Sequence, residues 1–160
     1  MEVASISSRE KALNCLQKIV LENGFALVPT RDDKNQDFTY TVGLFETFQH
    51  PELVIYGLSG WYAAIPILRA ICEKLVCKNH TIEDGNEIYG FKEYKTPLKA
   101  RNCTTQQYKE FCRLGAAYYK NNNDSKSNHV KKEEEFIPMM QILWPHNKTS
   151  KFPTTSQLLL

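Results

Sequence analysis

The stretch FTYTVGLFETFQHPELVIYGL, from Phe38 to Leu58, decides the architecture of this chain. Two β-rich runs, residues 38–44 and 53–58, flank a short segment holding the triplet His50-Pro51-Glu52. The first run alternates, with Phe38, Tyr40, Val42 and Leu44 on one face and Thr39, Thr41 and Gly43 on the other. The bulky face suits a core, which leaves the threonine face for solvent, a ligand or a neighbouring strand. Gly43 inside such a run marks a bulge or a close approach by another backbone or a bound molecule. The second run, Leu53-Val54-Ile55-Tyr56, is nearly unbroken apolar sequence, as in a central strand covered on both faces, and Pro51 suits its start. Paired antiparallel, the two runs bring Thr39, Tyr40, Thr41, His50 and Glu52 into one neighbourhood.

Outward from this centre, Ser7 or Ser8 caps a helix that carries Leu13, Leu16, Ile19 and Val20 and stops near Gly24. A short strand over residues 25–28 ends at Pro29, and the polar run 31–37 is a surface turn. A main helix starts near Ala64, with Pro66 in its first turn and Trp61 and Tyr62 at its entrance. Residues 87–94 and 98–102 read as a hairpin, and Thr104 caps a further helix through Tyr108, Phe111, Cys112, Ala116 and Tyr119. The segment 120–135 has almost no apolar content and reads as a mobile polar loop. A last strand lies within 136–144, and residues 145–160 form an extended tail ending in three leucines. The sum is one α+β domain over residues 1–160, a mixed, largely antiparallel sheet packed with about three helices.

Three separated motifs carry a family resemblance: Tyr40-Thr41-Val42-Gly43-Leu44; His50-Pro51-Glu52-Leu53-Val54-Ile55 with Gly57-Leu58; and Gln141-Ile142-Leu143-Trp144-Pro145 with Phe152-Pro153. In this order they resemble the DUF4262 family, a mainly bacterial domain of unknown function. The resemblance implies a shared fold and no defined activity. Where the family pattern places an acidic residue after Trp-Pro, this chain has His146, so no acid role carries over to that position.

Composition narrows the function classes. A net charge of +2 over 160 residues gives no electrostatic reason to expect nucleic acid. The amino terminus lacks the pattern of a secretory signal, and no run reaches the roughly 18 apolar residues of a membrane span. The five cysteines show no metal-ligand or disulfide spacing and read as reduced thiols in the cytoplasm.

His50 and Glu52 are the central chemical candidates, because residues two apart in extended backbone share a face. A carboxylate beside an imidazole raises its pKa and orients it for general base work, and Thr41 is the hydroxyl the pairing brings near. The competing reading is that the triplet caps a strand entry. Metal binding needs a third donor, from His80 or His146, and no metal is expected. Nucleotide-loop motifs are absent, and no cofactor is indicated. Tyr40, Trp61, Trp144 and Gln141 are candidates for stacking on and hydrogen-bonding to a flat ligand. The first expectation is therefore a pocket at Thr41, His50, Glu52, Gln141 and Trp144 that binds or acts on a small polar or nucleotide-like molecule, as a hydrolase would. In an open pocket, alanine at His50 or Glu52 costs only about 1–2 kcal/mol. The alternative is a non-catalytic protein-interaction module of an effector or host-interaction type, using a sheet edge or the tail. Oligomeric state is not legible in the sequence.

Overall fold

The computed structural model describes residues 7–92, 94, 96–126, 136–145 and 152, without the side chains of Trp61 and of residues 123–126. Helix α1, Ser8–Asn23, starts where the Ser7 hydroxyl accepts the Glu10 N–H at 3.2 Å while the Glu10 carboxylate accepts the Ser7 N–H at 2.9 Å. This reciprocal cap satisfies two amides that the helix itself cannot. Gly24, at φ +86°, closes the other end by donating its N–H to Val20 O.

Strands β1, Ala26–Arg31, and β2, Asp37–Val42, pair antiparallel, followed by the short helix α2, Leu44–Phe48, and strand β3, Glu52–Tyr56. Pro29 lies inside β1 instead of ending it, because β1 is an edge strand and tolerates one missing ladder donor. A π-helical turn, Gly60–Ala64, leads into α3, Ile65–Lys74, with Pro66 in its first turn. Strands β4, Glu87–Ile88, and β5, Leu98–Cys103, then pair antiparallel. The expected 87–94 strand is this short because Gly90, at φ +101°, turns the chain away.

The Thr104 cap is present, its hydroxyl accepting the Gln107 N–H, but the helix it starts is broken in two: α4, Thr105–Phe111, and α5, Arg113–Lys126. α5 therefore covers residues 120–126 of the segment expected as a loop. Asparagine and aspartate are poor helix formers, yet adding turns to a helix already nucleated by packing at Ala117, Tyr118 and Tyr119 costs little. Residues 127–135, and of the tail 146–151 and 153–160, lie outside the described residues. Strand β6, Met139–Leu143, ends the described architecture.

The sheet order is β1-β2-β3-β6-β5-β4, antiparallel throughout except for the parallel β3/β6 pair. The fold is thus α+β with a mixed, mostly antiparallel sheet. It has two cores. Leu53, Ile55, Met140 and Ile142 pack with α3 residues Leu68, Ile71 and Cys72 on one face. Val54, Tyr56, Tyr40 and Met139 pack with Leu16 and Val20 of α1, Tyr108 of α4 and Tyr119 of α5 on the other. This is the double coverage expected from the apolar run in β3. Among the described residues no helix is long and apolar enough to cross a membrane.

Helices α4 and α5 approach closely at one point. The Tyr108 hydroxyl is fully buried beside Gly115, where an added Cβ would lie 2.1 Å from Tyr108 Oη and 3.1 Å from the Tyr40 ring. That hydroxyl has no hydrogen-bond partner among the described residues. Gly115→Ala is therefore expected to destabilise by about 1–3 kcal/mol, the clash outweighing the helix propensity gained. Tyr108→Phe should be neutral or stabilising and should recover stability in the double variant. Urea unfolding of the three variants measures this, and additive effects would show that the two groups do not press on each other.

Candidate functional site

Glu52 opens β3, and its side chain turns toward α2 and α5 into complete burial. Its carboxylate receives only donors. The Thr41 hydroxyl donates to Oε2 at 2.5 Å, while the N–H groups of Gly43 and Phe45 and the Tyr119 hydroxyl donate to Oε1. Thr41 Oγ1 in turn accepts the Leu53 N–H at 2.8 Å, just past the last β2–β3 pair, Tyr40 with Val54. The threonine side chain thus continues the sheet where backbone pairing stops.

Gly43 explains why the chain can close around this group. At φ +100° it turns β2 into α2, and an added Cβ would lie 2.7 Å from Val20 of α1. The close backbone approach expected at this glycine is present, and its N–H is spent on Glu52. Burial pushes the Glu52 pKa up, the hydrogen bonds from Thr41, Tyr119, Phe45 and Gly43 pull it down, and burial wins to leave it at about 7. The Tyr119 hydroxyl, buried against that carboxylate, is driven upward and stays protonated.

His50 does not join this group. Its ring is fixed by Nδ1 against Pro51 O at 2.8 Å and by Nε2, which accepts the Ile82 N–H at 2.9 Å. Nδ1 must then carry the proton, so the neutral ring fits both contacts. Burial lowers its pKa, opposite to the rise expected from a Glu52 partner. β3 begins only at Glu52, so His50 lies before the strand whose alternation was expected to put both side chains on one face. His50 holds the 79–86 segment; Glu52 holds β2, α2 and α5.

The other sequence-derived residues are scattered. Tyr40 is buried between the Phe38 and Tyr108 rings. Gln141 is buried on β6 beside Val54, and Trp144 donates its indole N–H to Tyr56 O at 3.2 Å. The Trp61 side chain and His146 lie outside the described residues, and His80 is exposed. Thr41, Glu52, His50 and Gln141 are all at most 3% exposed and lie in the core. Among the described residues no group of His, Cys, Asp and Glu is arranged to hold a metal ion. The Cys72, Cys103 and Cys112 thiols are pushed up by burial, which leaves them un-ionised and poor nucleophiles.

The open space lies on the far side of Tyr40. A cleft of about 720 Å³ runs between the β1–β2 turn and the α4–α5 break, with Val28, Phe38, Tyr40, Phe111 and Leu114 as its floor. Arg31, Asp33, Glu110 and Arg113 form its rim. A second cavity of about 480 Å³ lies between Tyr62 and the same Pro29–Arg31 segment. Apart from Tyr40, the first cleft's residues carry no sequence signal. They meet only because α4 and α5 are kinked apart at Cys112, whose φ and ψ of −95° and 57° are not helical.

Glu52 and His50 titrate in opposite senses. A carboxyl raised from 4.5 to about 7 adds stability that is fully present below pH 4.5 and is lost as pH rises through 7. A histidine lowered from 6.5 adds stability that is present above 6.5 and is lost as pH falls below it. Glu52→Gln keeps an acceptor for three donors and mimics the neutral acid. It should remove a loss on the order of 2–3 kcal/mol that the natural chain suffers between pH 5 and 8. Glu52→Ala, leaving buried hydroxyls and amides unpartnered, should cost more than about 3 kcal/mol, well beyond an open-pocket change. Chemical denaturation across that pH range measures both; parallel wild-type and Glu52→Gln curves would refute the assignment. The His50 ring, followed by NMR, should titrate identically in wild type and Glu52→Gln.

The search of curated proteins and that of solved structures each returned no match to this chain. The family comparison did: residues 19–158 match the family described as Domain of unknown function (DUF4262), a span that takes in the entire six-stranded sheet and every partner of the Glu52 carboxylate. The chain belongs to that family.

Proposed function

We propose that this domain binds a small polar molecule in the cleft between the β1–β2 turn and the α4–α5 break, and that the Glu52 group beneath it is structural. The carrying observation is the cleft itself, about 720 Å³ with an apolar, partly aromatic floor and a charged rim, within the size range of small-molecule sites. A carboxylate near neutral pKa beside Thr41 and Tyr119 has the chemistry of a general base, but its burial keeps it from any substrate. Binding without catalysis fits that arrangement best. The described cysteines are all free thiols, which suits a reducing cytoplasm.

A protein-interaction role keeps one supporting observation, the nearly bare Tyr62 ring, 91% exposed beside the second cavity. Strand addition is the weaker version of that role: one sheet edge is interrupted by Pro29 and the other, Glu87–Ile88, is too short to template a partner.

Thermal denaturation against nucleosides, nucleotides, amino acids and monosaccharides tests the binding reading. A true ligand stabilises by about 2.7 kcal/mol at a hundredfold excess over Kd. Leu114→Trp, which fills the floor, should fold and lose that stabilisation. A ligand response that survives Leu114→Trp unchanged would place the site elsewhere.

A further inference from the structure

We infer that the cleft takes a zwitterion carried on a flat ring, the class an aromatic amino acid represents, with the ring on the Phe111 wall and its opposite charges met by Arg113 and Asp33. This rests on the binding reading above and specifies it.

Most charged groups on the rim already hold a partner. Arg31 donates to Asp37 at 2.7 Å and to Asn35 at 3.4 Å. Asp32 accepts the Tyr56 hydroxyl and the N–H groups of Lys34 and Gln36. Glu110 accepts the Gln106 amide at 2.8 Å. Asp33 and Arg113 are the two charged rim groups without a side-chain partner among the described residues. Asp33 is exposed on the rim and has no partner among the described residues. Arg113 uses only Nε, donating to Glu110 O at 3.3 Å, so both terminal nitrogens of its fork are unused among the described residues. A planar fork of donors suits a carboxylate, and a lone carboxylate suits an ammonium.

Ring and charge balance narrow the class further. Phe111 meets Phe38 edge to face at 6.3 Å, and Phe38 stacks on Tyr40 at 6.1 Å, so the floor is an array of three aromatic rings that a ligand ring can extend. The rim carries carboxylates at Asp32, Asp33 and Glu110 against guanidiniums at Arg31 and Arg113. A phosphate-rich ligand meets that excess of negative charge and is disfavoured. A purely cationic ligand leaves Arg113 unpaired and repelled.

NMR titration of the full chain with L-tryptophan, tryptamine and indole-3-propionate separates these cases, because the three share a ring and differ in charge. Tryptophan should shift the amides of Val28, of residues 30–33 and of residues 111–114 and bind about tenfold or more tighter than either singly charged analogue. Asp33→Asn should abolish its advantage over indole-3-propionate, and Arg113→Gln its advantage over tryptamine. Equal binding of the three compounds, or a preference unchanged in both variants, would overturn the inference. Should adenosine monophosphate or another compound from the thermal panel move those amides while tryptophan does not, the ligand class is wrong and the binding site stands. If no compound moves them, the binding reading fails as well.

Discussion

One carboxylate holds this fold closed. Glu52 gathers the end of β2 through Thr41, the turn into α2 through Gly43 and Phe45, and helix α5 through Tyr119. These contacts reach 67 positions along the chain. Packing alone brings apolar surfaces together without choosing among nearby arrangements; a buried acceptor with fixed donors tolerates very few. The neighbouring link from Tyr118 to Glu46 repeats the tie between α5 and α2. Removing solvent from a carboxylate is costly, and here that cost is offset by donors rather than by a cation. That choice leaves the group poised between ionised and neutral near pH 7.

His50 makes the complementary attachment on the other side of the strand entry. Its neutral ring pins the segment before β4 by accepting the Ile82 N–H. Two polar residues separated by one proline therefore anchor opposite layers of the domain, which accounts for a His-Pro-Glu triplet without assigning it chemistry. Catalytic pairing needs the two side chains to converge; anchoring needs them to part, and Pro51 between them sets the change of direction.

Much of the fold was legible because it follows from local rules. The α1 boundaries come from a serine cap, a helical stripe and a glycine stop, and β3 from an apolar run too continuous for a one-sided sheet. What escaped was decided by tertiary contact. The strand was expected to run through Leu44 into an unstructured segment, whereas the chain turns at Gly43, at positive φ, and residues 44–48 form a helix. The α4–α5 break falls at Cys112, inside an apolar periodicity that runs from Tyr108 to Tyr119 without marking it. Of the residues expected at one site, Thr41 and Glu52 are in contact while His50 turns to Ile82, because residue type does not say which way a side chain points or whether it faces solvent or the core. The cleft was invisible because its floor and rim come from distant segments with ordinary composition.

The position of β6 bears on how the chain reaches this state. β6 lies at the middle of the sheet, between β3 and β5, although it is the last strand in sequence among the described residues. Until it arrives, β1-β2-β3 and β4-β5 are separate ribbons, each with a bare hydrogen-bonding edge and an uncovered share of both cores. A ribosome releasing the chain from its amino end must therefore hold back cooperative folding until residues 139–143 have emerged. The parallel β3/β6 pair joins segments about 87 positions apart, such as Leu53 and Met140, so closure of this loop is an entropically slow step on which the whole sheet waits.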